Sequence, residues 1–125
     1  MLGKMEDERP IFIQLAELLE DGILSGAYPE EEQTPSITEI SIAYKINPAT
    51  ALKGINLLVD AGLLYKKRGL GMFVAQGGRD RLARRRHEQF YRDYILPLLE
   101  EAERLGVTRE ELILWIKRGK QTDEY

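Results

Sequence analysis

Apolar residues recur along this chain first at helical spacing, then in extended runs, then at helical spacing again. After Pro10, the positions Ile11, Leu15, Leu18, Leu19 and Ile23 fall on one helical face, with Gln14, Glu17, Glu20 and Asp21 between them. This predicts a first helix over about residues 10–24, stopped by Ser25-Gly26. Residues 27–35 hold two prolines and no periodicity, which predicts a loop whose three glutamates are solvated. Ser36-Ile37-Thr38-Glu39 has the spacing of a capping box and opens a second helix over 37–44, with Ile37, Ile40 and Ala43 inward. A tight turn follows. Asn47 suits an N-cap and Pro48 the first helical position, so a third helix runs over 48–61 and stops at Gly62. Its back carries Ala51, Ile55, Leu58 and Val59, and its front Ala49, Thr50, Lys53 and Asn56.

Past Gly62 the period becomes extended. Residues 63–68 and 72–75 are β-prone and flank Gly69-Leu70-Gly71, which predicts a hairpin with Lys66, Lys67 and Arg68 near its tip. Gln76-Gly77-Gly78 is a short hinge. A long helical stretch spans about 79–105, rich in arginine at its start (Arg79, Arg81, Arg84, Arg85, Arg86). Farther on it carries an apolar stripe of Tyr91, Tyr94, Ile95, Leu98, Leu99, Ala102 and Leu105. Pro97 should kink or divide it, because proline removes one helical hydrogen bond. Thr108-Arg109-Glu110-Glu111 repeats the capping-box spacing, and a last helix with Leu112, Ile113, Trp115 and Ile116 runs to about Gly119. The tail 120–125 is polar and expected to fray.

The expected fold is mainly α with a small β-hairpin: a winged helix-turn-helix over residues 1–76, then a two-helix dimerisation element over 77–125. Two helices joined by a tight turn, the second facing outward, form the plan that reads a DNA major groove. The last helices cannot enclose a core of their own, so their exposed stripe calls for a partner surface. Packing against the winged-helix body would cover some of it, and pairing with a second copy by two-fold packing would cover more, through Tyr91, Tyr94, Ile95, Leu98, Leu99, Ala102, Leu112, Trp115 and Ile116.

The net charge of −3 over 125 residues looks wrong for a nucleic-acid binder, but the distribution alters that reading. Residues 1–60 balance at −7, residues 61–92 at +7 and residues 93–125 at −3. Phosphate attraction depends on the local field, screened within about 8–10 Å at physiological salt. The arginine run admits three readings: a solvated helix face, a contact with flanking phosphates, or pairing with glutamates of a partner chain.

Other classes of function fare worse. There is no cysteine, which excludes thiol catalysis, disulfides and zinc–thiolate sites. The one histidine, His87, lies among charged residues with no sign of a pocket, and no metal-ligand spacing or phosphate-cradling loop occurs. An enzyme is therefore not expected, and no cofactor or metal is. No apolar run nears the roughly 18 residues of a membrane span, and the N-terminus lacks a signal-peptide core, so no membrane association and a cytoplasmic location are expected. A winged helix that binds another protein rather than DNA is the alternative; the basic triplet in the hairpin argues against it. The length rules out a large sensing domain but leaves room for an unidentified small effector at a dimer interface.

Three motifs resemble the GntR family of bacterial transcriptional regulators over residues 10–75. They are Pro10-Ile11-Phe12-Ile13-Gln14-Leu15, Thr34-Pro35-Ser36-Ile37-Thr38-Glu39-Ile40-Ser41 and Gly69-Leu70-Gly71-Met72-Phe73-Val74. The Asn47-Pro48-x-Thr50 opening and the short C-terminal part are similar to its YtrA subfamily. The resemblance implies a dimeric repressor on a roughly palindromic stretch of double-stranded DNA, with an ABC transporter operon as its target. It implies DNA contacts from Ser36, Thr38, Asn47, Ala49, Thr50, Leu52 and Lys53, and from Arg68, Gly69 and Gly71 in the wing, where the charge pattern adds Lys67. Many members carry arginine where this chain has Thr38, Pro48 and Leu52. Leu52 is left either to touch a thymine methyl or to pack. Lys53 and the wing are expected to carry more of the affinity, and Asn47 to read adenine.

Overall fold

The computed structural model describes residues 8–120. The N-terminal reading of residues 1–7 and most of the polar tail, 121–125, lie outside the described residues. The chain divides into two compact units, residues 1–85 and 86–125.

In the first unit, α1 (Ile11–Ser25), α2 (Ile37–Tyr44) and α3 (Pro48–Asp60) precede an antiparallel hairpin of β1 (Leu64–Lys67) and β2 (Gly71–Val74). α1 ends where Gly26 turns left-handed (φ 87°) and donates its N–H to the Ile23 carbonyl. The core gathers Leu15, Leu19 and Ile23 from α1, Ile40 from α2, and Ala51, Ile55 and Leu58 from α3. Leu63, Leu64, Val74 and Leu82 close it.

Two inward positions differ from the periodic expectation. Ile11 is half-exposed and Gln14 is buried, because its amide Nε2 donates to the Arg9 carbonyl (2.7 Å) and so satisfies its polarity at the core edge. On α2, Ala43 is exposed, and Tyr44 packs against the core instead. The buried stripe runs through Ile37, Ile40 and Tyr44, and at 100° per residue Ala43 falls off it.

α1 and α3 cross closely at Gly54, which is buried in α3. A Cβ there would lie 2.9 Å from the Phe12 carbonyl oxygen and 3.1 Å from a Leu15 methyl. Alanine normally gains about 1 kcal/mol over glycine inside a helix, but overpacking a core costs about 1–3 kcal/mol. The nearest obstacle is backbone and cannot swing away, so the clash wins. Gly54→Ala is expected to lower the unfolding free energy by about 1–2 kcal/mol in urea titration; a more stable variant would show that the helices separate freely.

The segment expected to be a plain loop is partly sheet. Glu31 N–H donates to the Val74 carbonyl (2.8 Å), Val74 N–H to the Glu32 carbonyl (3.1 Å), and Thr34 N–H to the Met72 carbonyl (2.9 Å). Gln33 bridges to Phe73. Proline content hid this, since the pairing needs only a few N–H groups of residues 31–34. Two of the three glutamates also have partners rather than water alone. Glu30 accepts from the Gly77 N–H (2.6 Å) and Glu31 from the Tyr65 hydroxyl (3.0 Å).

The arginine run has a role that none of the three readings foresaw for it. Arg79 Nε donates to the Leu24 carbonyl (3.1 Å), and Arg81 to the Gly62 (2.6 Å) and Gln76 (3.2 Å) carbonyls. Arg85 pairs with Glu20. Together with buried Leu82, these fasten the start of α4 (Gly78–Phe90) to the first unit. The last carbonyls of α1 and of the α3 turn are unpaired within their helices, which makes them natural acceptors for arginine.

Within the stretch 79–105, helical geometry persists to α5 (Leu96–Leu105) through a five-residue π turn, Tyr91–Ile95. Leu96 N–H reaches the Tyr91 carbonyl. The widened turn lies directly before Pro97 and absorbs the bond that proline cannot make, so the helix is interrupted rather than ended. Gly106 (φ 71°) closes α5, and the Thr108–Glu111 capping box starts α6 (Arg109–Arg118).

Candidate nucleic-acid interface

Both helices of the helix-turn-helix begin on their expected caps. Ser36 Oγ accepts from the Glu39 N–H (3.0 Å), while Glu39 returns a carboxylate oxygen to the Ser36 N–H (2.9 Å). The bonds from the Ser36 backbone and then its side chain hold the Glu39 carboxyl below the usual carboxylate range. Thr38 projects into solvent beside this cap. Asn47 Oδ1 accepts from the Ala49 N–H (2.8 Å) and Pro48 fills the first turn of α3. The cap uses the oxygen that bidentate pairing with adenine needs, so capping and base reading compete at Asn47.

Ala49, Leu52, Lys53 and Asn56 form an exposed stripe at helical spacing along α3, with Thr50 half-buried at its edge. Leu52 is 43% exposed, which places it on the outward stripe rather than in the core. Lys53 is not a free cation: its Nζ sits 4.2 Å from the centre of the Phe12 ring, where the ring face attracts positive charge.

In the wing, Leu64 pairs with Val74 and Lys67 with Gly71, so β2 begins one residue earlier than the sequence predicts. Lys66 and Arg68 are exposed. Lys67 is half-buried, with its Nζ 4.3 Å from the Phe73 ring centre and 5.9 Å from that of Tyr65. Gly69 (φ 77°) and Gly71 (φ 116°) adopt angles that side-chain-bearing residues rarely take, which is what the Gly-x-Gly spacing demands.

Two features of this surface escape periodicity. Lys45 turns left-handed (φ 55°) between α2 and α3, placing an exposed cation at the turn. Gln33 reaches across to the Leu70 carbonyl (2.5 Å). The first had a faint sequence signal, an apolar-to-Asn-Pro turn too short for anything but a sharp reversal. The second had none.

The second unit sorts the expected dimerisation residues into two groups. Ile95 and Leu99 are half-buried, and Ala102 and Leu112 are buried within the chain. Tyr91, Tyr94, Leu98, Trp115 and Ile116 are exposed, as are Phe90, Leu96, Leu105, Ile113 and Leu114, which the stripe did not single out or did not assign to pairing. Along the chain, the exposed Tyr91, Tyr94, Leu98 and Leu105 are spaced three, four and seven apart. No helix of the described residues is long and apolar enough to cross a membrane.

A helix-turn-helix followed by a basic β-hairpin is a winged helix, a class of DNA-binding fold. No protein-family model matches the chain. A crystal structure of a GntR-family transcriptional regulator from Bacteroides thetaiotaomicron is 30% identical and superimposes with a TM-score of 0.71, covering 88% of this chain and 99% of that one. The transcriptional repressor YtrA of Bacillus subtilis is 25% identical over 91% of this chain and 92% of its own length. The DNA-binding domain of AraR, solved in complex with its operator ORR3, is 30% identical over 60% of this chain, with a TM-score of 0.52. The chain belongs to the GntR family of transcriptional regulators. Its likeness to YtrA extends through the short C-terminal part, and its relatives are regulators rather than enzymes.

Proposed function

We propose that this protein is a cytoplasmic, homodimeric repressor that binds a roughly palindromic operator. Residues 1–76 serve as its DNA-binding domain and 77–125 as its dimerisation element. The observation that carries the reading is the exposed α3 stripe beside a basic wing in one unit, together with a large exposed apolar surface in the other. The near full-length likeness to the YtrA repressor supports repression as the sign of control; an ABC transporter operon as target rests on the subfamily resemblance of the sequence alone.

In this reading α3 enters the major groove. Ala49, Thr50, Leu52 and Lys53 face the base edges, with Leu52 offering an apolar contact to a thymine methyl. Asn47, Ser36 and Thr38 approach from the helix N-termini, where N–H groups and hydroxyls suit phosphate. Lys67, Arg68, Gly69 and Gly71 bring the wing against the backbone. With no cation on α2 and only Lys53 on α3, much of the electrostatic grip falls on the hairpin.

The test is selection of duplexes from a random pool by the purified chain. The expected product is an inverted repeat with half-sites about one helical turn apart. Its affinity should fall steeply between low and physiological salt. Failure to enrich any duplex at any salt would overturn the proposal in favour of a protein-binding winged helix.

A further inference from the structure

We infer that Gln33 is a positioning residue for DNA binding, acting by holding the wing tip through the backbone of Leu70. The inference rests on the DNA-binding reading above and adds to it a residue outside the helix-turn-helix and the hairpin.

The wing tip is built to be loose. Leu70 stands between Gly69 and Gly71, both at positive φ, and its side chain is 63% exposed. Beyond the strand pairing, which ends at Lys67 and Gly71, the tip is closed by a bond from the Leu70 N–H to the Lys67 carbonyl (3.0 Å). A two-glycine tip of this kind has many accessible conformations, and ordering it on DNA would cost entropy.

Gln33 opposes that freedom. Its Nε2 donates to the Leu70 carbonyl at 2.5 Å. The backbone around it is already set by the bridge to Phe73 and by the bond from Thr34 N–H to the Met72 carbonyl. The amide therefore reaches the tip from a fixed base. Gly71 makes the approach feasible, since a Cβ there would lie 2.8 Å from Gln33 Nε2. The second glycine thus has two duties: it adopts a φ of 116° and it leaves room for the amide. Gln33 is itself exposed and fills no part of the core, so its tie to the tip is not a by-product of burial. A tip held in this way presents Arg68 and Leu70 to the nucleic acid already ordered, and preorganisation of this kind raises affinity without adding a new interaction.

The experiment uses the full chain and a duplex that the wild-type protein selects from a random pool. Gln33→Met keeps the length of the side chain but cannot donate, and Gln33→Asn keeps the amide but withdraws it by one methylene. Both are expected to weaken binding about fivefold while melting within about 2 °C of wild type. Hydroxyl-radical footprints should lose protection at the flanks, where the wing lies, and keep it over the centre of each half-site. Leu70→Ala should cost less in the Gln33→Met background than in wild type, because the two act through one element. Wild-type affinity in both Gln33 variants, or protection lost evenly across the footprint, would overturn the inference and leave the DNA-binding reading standing. A wild-type protein that selects no duplex would remove both.

Discussion

Exchanging Lys66 for Gln, Lys67 for Met and Arg68 for Gln together is expected to weaken operator binding about a hundredfold at physiological salt. The choice of replacements follows from the geometry. Lys67 lies along Phe73, so a methionine keeps the apolar cover and removes only the charge. Lys66 and Arg68 are exposed and can become glutamine with little effect on stability. Every phosphate that loses its cation takes close to one unit off the slope of log affinity against log salt. The triple variant should therefore lower the slope by about two to three and leave the preferred operator sequence unchanged. Segments 1–60 and 93–125 carry net negative charge, and of the arginines that follow the wing, Arg79, Arg81 and Arg85 are bonded within the fold. An unchanged salt slope would mean that the wing does not face DNA.

Tyr94→Gln with Leu98→Gln is expected to convert the protein from dimer to monomer and to cost about a hundredfold in operator affinity. Both side chains are substantially exposed (66% and 41%), so their loss should leave the helical content of the single chain intact. Glutamine suits a helix and changes no charge, which excludes repulsion from DNA as the cause of any loss. In a dimer the second half-site is bound from a high effective concentration, and that advantage is typically worth about 10²–10⁴ in overall affinity. Sedimentation and binding isotherms read the two effects separately. A variant that remains dimeric would place the interface elsewhere on the chain. Ala102 and Leu112 would be poorer choices for this test, because they are buried within the chain and their exchange would perturb the fold itself.

Local signals were readable in advance because their physics is local. Ser36–Glu39, Asn47–Pro48, Thr108–Glu111 and the Gly-x-Gly turn act within about four residues, and the structure puts each element where they point. The helix-turn-helix, the basic hairpin and the family resemblance all rest on such signals. The inward face of α1 was less legible, since Gln14 is buried by a hydrogen bond to a carbonyl five residues away, which apolar periodicity does not register.

What remained hidden depended on segments far apart in the chain. The arginines 79, 81 and 85 look alike in sequence, yet each meets a particular acceptor 19 to 65 residues away, which only the packing of α1, α3 and α4 brings near. Residues 31–34 join the wing because their N–H and C=O groups come level with β2, and no side-chain pattern announces that. The apolar stripe of the second unit read as one surface, and folding separates it into residues covered within the chain and residues left exposed. The amino-acid order alone therefore determined the elements, their caps and the kind of surface this protein would offer, since those follow from backbone hydrogen bonding and side-chain period. The tertiary structure decided which cations are spent on holding the fold, which remain exposed, and that Gln33 bonds to the wing tip, since each of these depends on distances set by packing.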